Sequence, residues 1–138
     1  MSTFLLEIIT PDRVAYSDQV NMVTAPSAAG EVGILPQHEP LFSRLIEGEL
    51  KIKKDKEETF LAIGGGFLDV TKDKTVVLVT EAVHADEINE KEMLEARARA
   101  EKALKDKPQG EALRQAQQLF TRSNIALKVL TRRKKLRV

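Results

Sequence analysis

The sequence predicts a mainly β fold with added α: an N-terminal β-sandwich followed by a C-terminal antiparallel two-helix hairpin. Three observations predict it. From Phe4 to about Val83, short runs rich in Val, Ile, Leu, Phe and Thr are separated by turn residues at the intervals of an all-β sandwich or barrel. Beyond Val83 glycine vanishes until Gly110, and apolar residues recur at helical spacing. The length, 138 residues, suits one domain or one domain with an appendage.

In chain order the expected strands are Phe4–Thr10, Val14–Tyr16, Gln19–Ala25, Glu31–Ile34, Leu41–Ile46, Glu49–Lys53, Thr59–Ile63, Gly66–Thr71 and Thr75–Thr80. Turn signals punctuate them: Thr10-Pro11-Asp12, Pro26-Ser27-Ala28-Ala29-Gly30, Glu47-Gly48, Lys54-Asp55-Lys56, Gly64-Gly65-Gly66 and Lys72-Asp73-Lys74. Glu49 to Lys53 alternates with period two, which marks a strand wet on one face. Thr75 to Thr80 is apolar on both faces and is expected to lie centrally. The glycines 64 to 66 fall between two strands, where a bulge or a close backbone approach requires them.

The first helix is expected to start at Asn89, whose side chain can cap it, with Glu92 three residues on. Met93, Ala96, Ala100 and Ala103 then share a face. The KDKPQGE break precedes a second helix from about Glu111, with Leu113, Ala116, Phe120, Leu127 and Leu130 on a stripe interrupted near Ser123. So short a connection implies an antiparallel pair. The expected division is residues 1–85 and residues 86–138. An alanine-rich seam buries little area per residue, so the hairpin is expected to be held weakly, as a movable part would be, the alternative being a permanently packed appendage.

Several chemistries are excluded or disfavoured. Lys and Arg number 22 against 21 Asp and Glu, so no net field draws the chain to nucleic acid. There is no cysteine, hence no disulfide, zinc-thiolate or thiol chemistry, as expected in a reducing compartment. The opening residues lack a basic n-region, and no apolar run approaches the roughly 20 residues that cross a bilayer. The glycines do not feed a helix, as a phosphate loop requires. His38 and His84 lack metal-ligand spacing, and no serine stands in a nucleophile motif, so neither a metal site nor a catalytic residue is expected. The terminal TRRKKLRV is a local concentration of cations. It fits an acidic protein surface better than nucleic acid, because no aromatic cluster accompanies it.

With the segments placed, the chain resembles the epsilon subunits of F-type proton-translocating ATP synthases. The resemblance rests on Leu6 to Arg13 (LEIITPDR), Gly30 to Pro40 (GEVGILPQHEP), Leu45 to Gly48, Gly64 to Phe67, Val76 to Thr80 and Asp86-Glu87-Ile88. It implies a non-catalytic rotor subunit that couples proton flow to ATP synthesis, peripheral on the cytoplasmic face of the bacterial inner membrane. The sandwich would touch the gamma subunit and the polar loops of the membrane c-ring, through Gly30, Glu31, Gly33, Leu35, Pro36, His38 and Pro40. The hairpin would lie folded, or extend along gamma to block ATP hydrolysis. Its basic end, Arg122, Arg132, Arg133, Lys134, Lys135 and Arg137, would then meet acidic segments of the beta subunit within the catalytic hexamer of beta and alpha subunits. No cofactor is implied. Some bacterial relatives bind ATP through Ile or Leu, then Asp, two residues, Arg and Ala; here Ile88, Asn89, Glu92 and Met93 stand in that frame. With Arg99 and Arg122 they would be remnants of a site, and ATP binding is expected to be weak or absent. On residues alone, the competing reading is a free β-sandwich adaptor or nucleic-acid-binding module with a basic helical tail.

Overall fold

The computed structural model describes residues 2–136, with side chains up to residue 133. Ten strands form the first part: β1 (Phe4–Ile9), β2 (Val14–Val20), β3 (Met22–Ser27), β4 (Gly30–Ile34), β5 (Leu41–Leu45), β6 (Gly48–Lys54), β7 (Glu57–Ile63), β8 (Gly66–Val70), β9 (Lys74–Val79) and β10 (Ala82–His84). The strand order is β10-β7-β6-β3-β5-β8-β9-β1-β2, with β4 paired to β3. The path narrows to one residue pair, Ser27 with Leu45, between β3 and β5. The strands therefore fall into two layers, β10-β7-β6-β3-β4 and β5-β8-β9-β1-β2. All neighbours run antiparallel except β1 and β9.

The core lies between the layers, and period-two alternation builds it. Leu6 and Ile8 of β1, Leu50 and Ile52 of β6, Leu61 of β7, Leu68 of β8 and Val77 of β9 are fully buried. Each such side chain contributes about 1.5–3 kcal/mol relative to exposure. Strand β6 shows the expected alternation, with Leu50 and Ile52 inside and Lys51 and Lys53 on the opposite face. Polar bonds lace the free edges together. Arg13 Nη2 donates to Ala82 O at 2.9 Å, and His84 Nε2 meets Ala15 O at 2.9 Å. Lys54 Nζ donates to Asp18 Oδ2 at 2.5 Å, which holds the Asp18 carboxyl below its ordinary value and raises Lys54. Tyr16, half-buried beside this pair, has its hydroxyl pushed up chiefly by burial.

Two expectations about the strands needed correction, and a third held. Gln19 to Ala25 is not one strand, because the chain changes layers at Asn21: Val20 pairs with Phe4 of β1, while Met22 pairs with Lys53 of β6. Such corners need a bend. Here Asn21 N donates to Lys53 O at 2.9 Å, and its side-chain oxygen accepts from Asp55 N at 2.6 Å. Strand β10 is additional, three residues paired with Leu61 to Ile63. Strand β9 lies centrally, as expected, flanked by β8 and β1, and its second face carries the exposed Leu78.

Contacts divide the chain after His84. The second unit opens with a single 3₁₀ turn (Ala85–Glu87), then α1 (Glu90–Lys105) and α2 (Gly110–Leu136), which pack against each other. Asn89 caps α1, its Oδ1 accepting from Glu92 N at 3.1 Å. Lys107, at φ 50°, turns the chain left-handed after α1. The buried positions are mostly small: Ala96 and Ala100 of α1, with Ala116, Ser123 and Ala126 of α2, joined by Val129 and Leu130 toward its end. Ala103 is exposed and Leu104, half-buried, takes its place on the inner face. Ser123 does not interrupt the stripe but continues it, because its hydroxyl donates back to the carbonyls of Leu119 (2.8 Å) and Phe120 (3.0 Å) and so costs little to bury. Each alanine methyl is worth about 0.8 kcal/mol, a fraction of a core leucine.

Candidate partner interfaces

The segment from Gly30 to Pro40 begins as the outermost strand of its layer. β4 pairs only with β3, Gly30 with Ser27 through Ile34 with Val23. Alternation sends Val32 and Ile34 inward and Glu31 and Gly33 outward, while Gly30 is exposed at the turn. The Ser27 hydroxyl donates to Gly30 O, which fixes the hairpin turn. The chain then reverses through Leu35-Pro36-Gln37-His38, closed by His38 N donating to Leu35 O at 3.2 Å. Pro36 presets the second position of this turn, and Gln37 takes φ 64°, the left-handed third position of a type II turn. Leu35 is thereby thrust outward, 55% exposed.

His38 Nδ1 sits 2.7 Å from Glu39 O. A carbonyl can only accept, so Nδ1 carries the hydrogen, and in the neutral ring Nε2 is left as an acceptor. This turn stands beside the β8–β9 turn, around a shallow depression lined by Leu35, Gln37, His38, Phe4, Thr71 and Lys74. Lys74 Nζ donates to Glu7 Oε1 at 2.8 Å, and that bond raises the lysine pKa, so its charge is fixed there. Glu31, Gly33, Leu35, Pro36, His38 and Pro40 thus form an outward rim in which one carboxylate and one imidazole stand among glycine, two prolines and a leucine tip. Pro36 and His38 are half-buried, and the others are exposed.

A second surface escaped the sequence reading. Phe67 lies opposite Leu78, Leu78 opposite Ile9, and Ile9 opposite Val14, a cross-strand row on the outer face of β8, β9, β1 and β2. Phe42 on β5 extends it, stacking on Phe67 with ring centroids 5.3 Å apart and planes 22° from parallel. Phe42 is 66% exposed and Val14 58%; Phe67 and Leu78 are exposed as well. With strands about 4.8 Å apart, the row is on the order of 20 Å long. Contiguous apolar surface of this kind marks an interaction site more often than isolated residues do. The signal was present in the alternation of Gly66 to Thr71, which buries Leu68 and Val70 and must therefore present Phe67 outward.

In the helical unit, Asn89 and Glu92 are brought together as the α1 cap. Ile88 is half-buried, its N–H donating to Ala85 O at 3.3 Å. Arg99 and Arg122 are exposed, on α1 and α2 respectively. The open hollow beside the start of α1 is lined by Asn89, Glu90, Lys91, Leu94 and Glu95, two carboxylates against one cation. At the other end of α2, Arg132 is exposed and Arg133 forms an ion pair with Asp86. The side chains of Lys134 and Lys135, and Arg137 altogether, lie outside the described residues. Among the described residues no three His, Cys, Asp or Glu gather as metal ligands, and no helix is long and apolar enough to cross a membrane.

Comparison with known proteins gives this geometry its family. A family model described as the ATP synthase, Delta/Epsilon chain, beta-sandwich domain matches residues 3–85. An ATP synthase epsilon chain of Herpetosiphon aurantiacus is 43% identical over 124 residues, covering 90% of this chain and 91% of that one. One from Dehalococcoides mccartyi is 40% identical over 136 residues, 98% and 97% of the two chains, and one from Bacillus cytotoxicus is 38% identical over 128 residues, 93% and 91%. A chain in the structure of Euglena gracilis mitochondrial ATP synthase (OSCP/F1/c-ring) superposes with a TM-score of 0.70 at 21% identity, covering 100% of this chain and 83% of that one, a likeness of fold. The match spans the sandwich and, through the curated relatives, the helices too, leaving no support for a free adaptor or nucleic-acid module: the chain belongs to the ATP synthase epsilon chain family.

Proposed function

We propose that the chain sits on the central stalk at the cytoplasmic face of the bacterial inner membrane, with its sandwich between gamma and the c-ring loops, and that its hairpin restrains ATP hydrolysis. As a member of its family it is a non-catalytic subunit of the ATP synthase. The observation that carries the finer reading is the pairing of two outward surfaces of different chemistry on one rigid sandwich. The rim from Glu31 to Pro40 offers a carboxylate, a histidine acceptor and a turn, and suits the polar loops of the ring. The row of Phe42, Phe67, Leu78 and Val14 suits an apolar shaft, and so the gamma subunit. The basic end of α2 would meet acidic segments of beta and alpha.

Capture of gamma tests the seat. Residues 1–85 alone are expected to fold and bind gamma. In the full chain, Phe42→Ser with Phe67→Ser is expected to weaken that binding by roughly 30-fold or more, the effect of losing an aromatic anchor worth about 2 kcal/mol or more. Both rings are exposed in the free chain, so its melting temperature should hold. Unchanged affinity for gamma would remove the apolar row from the interface.

The same reading bears on nucleotide. Asn89 accepts from Glu92 N as a helix cap and cannot supply the Asp charge of the relatives' pattern. Glu92 sets a carboxylate where that pattern has a cation. Losing one charge-assisted hydrogen bond costs about 1.5–3 kcal/mol, roughly ten- to over a hundred-fold in affinity. Calorimetric titration of the isolated chain with ATP is expected to show no micromolar binding. Micromolar binding abolished by Arg122→Ala would reverse this reading.

A further inference from the structure

We infer that Asp86 is an internal stand-in for the acidic partner of the α2 tail: it occupies Arg133 in the folded hairpin and so sets how readily that cation becomes available. The inference rests on the hairpin's proposed part in restraining hydrolysis, and adds the contact that would govern it.

Asp86 lies in the 3₁₀ turn Ala85–Glu87, at the point where the helical unit begins, and Arg133 lies in the last turns of α2. Their sequence separation is 47 residues, yet Arg133 Nη2 and Asp86 Oδ1 form an ion pair. The two sides of the pair are unlike. The Arg133 side chain is only 27% exposed, whereas Asp86 is 75% exposed. The arginine is laid down against the protein, and the carboxylate reaches it from the solvent side. The turn contacts α2, Ala85 within it is buried, and so are Val129 and Leu130, one turn of α2 before Arg133. The end of the longer helix is therefore fixed by apolar burial together with this ion pair, in a unit whose remaining buried positions are mostly alanine and serine.

A guanidinium already paired with one carboxylate has its charge largely offset and its plane fixed, so a second carboxylate arriving from a partner gains less from it. The two contacts therefore compete. Removing Asp86 leaves the cation in place and deletes only its internal competitor, so the apparent affinity of the tail for an acidic surface rises by the fraction of molecules that had been held. An exposed pair of this kind shifts such an equilibrium by about two- to five-fold, and less at high salt.

Two measurements separate the inference from the reading beneath it. In the full chain alone, amide hydrogen exchange across residues 129–133 is expected to quicken about two- to five-fold in Asp86→Asn and in Arg133→Gln. The exchanged pair, Asp86→Arg with Arg133→Asp, should recover at least half of the lost protection, the shortfall arising because an aspartate is unfavourable at a helix C-terminus. In the assembled ATP synthase, Asp86→Asn is expected to lower ATP hydrolysis, because the freed cation binds its partner more readily, while the exchanged pair raises hydrolysis because the tail has lost that cation. Unaltered exchange in Asp86→Asn, or no recovery in the exchanged pair, overturns the latch. Exchange as expected, with hydrolysis indifferent to removal of residues 87–138, leaves the contact standing and overturns the regulatory reading instead.

Discussion

Gly66→Ala is expected to destabilise the sandwich by about 3 kcal/mol or more, the upper end of overpacking costs. A methyl at this position would lie 1.9 Å from the carbonyl oxygen of Leu78 and 2.8 Å from Val79 Cα. Both obstacles are backbone, so neither can swing aside as a side chain would. Gly66 pairs with Leu45 on one side and Val79 on the other, in a strand flanked on both edges. Relief would therefore require β8 and β9 to part and would disturb the burial of Leu68 and Val77. Thermal unfolding should show a fall of roughly 10–20 °C for a unit of this size. Gly33→Ala is the control: there the methyl meets only Met22 Cε, at 3.0 Å, the free end of a flexible side chain, and a cost below about 1 kcal/mol is expected. Equal melting of the two variants would show that the layer opens at Gly66 without loss, and that the triple glycine has some other cause.

That glycine also shows how far residues alone reach. Its position between two apolar runs indicates a close approach, since no helix follows to receive a phosphate; which of the three glycines is indispensable depends on the register of β8 against β9, a long-range pairing. Gly64 would meet a movable hydroxyl on Thr80, and Gly65 nothing closer than 3.5 Å. The helix cap at Asn89 is local, and the sequence revealed it directly. The corner at Asn21 is not: Gln19 to Ala25 reads as one alternating run, and only the separate pairings of Val20 and Met22 place its halves in different layers. Ser123 misled for a related reason. Polarity suggested a gap in the stripe, whereas a serine in a helix can satisfy its own hydroxyl on the preceding turn and be buried. The Gly30 to Pro40 rim was legible because its turn residues are punctuated in sequence. The row from Phe42 to Val14 was not, because it is assembled from strands distant in the chain, and each residue singly is an unremarkable exposed apolar side chain.

Removal of residues 87–138 is expected to raise ATP hydrolysis by the assembled enzyme, while the enzyme still couples and still retains the shortened chain. The proposed restraint is a coupling between the hairpin's position and the catalytic sites. Such couplings commonly amount to about 1–3 kcal/mol, so a rise of roughly five-fold or more is the expected reading. The physical ground is the asymmetry of the two units. The sandwich is held by fully buried leucine, isoleucine and valine from both layers, whereas the buried positions of the helical pair are mostly alanine and serine, with Val129 and Leu130 near the end of α2 and a polar bridge from Arg97 Nη1 to Asn124 Oδ1 at 3.3 Å. A cut at the boundary between them leaves the strand pairings of the sandwich whole, since β10 ends at His84. Charge reversal at Arg132, Arg133, Lys134 and Lys135 should shift hydrolysis in the same direction, and more at low salt than at high, because exposed charges are screened beyond about 8–10 Å at physiological ionic strength. Two assays on one preparation decide it: the steady-state rate of ATP hydrolysis, and proton pumping per ATP hydrolysed. A rate unchanged by truncation would make the hairpin a passive appendage. A faster rate with pumping lost would place residues 87–138 in the coupling itself, and would overturn the division of work between a sandwich that seats the subunit and a hairpin that restrains the enzyme.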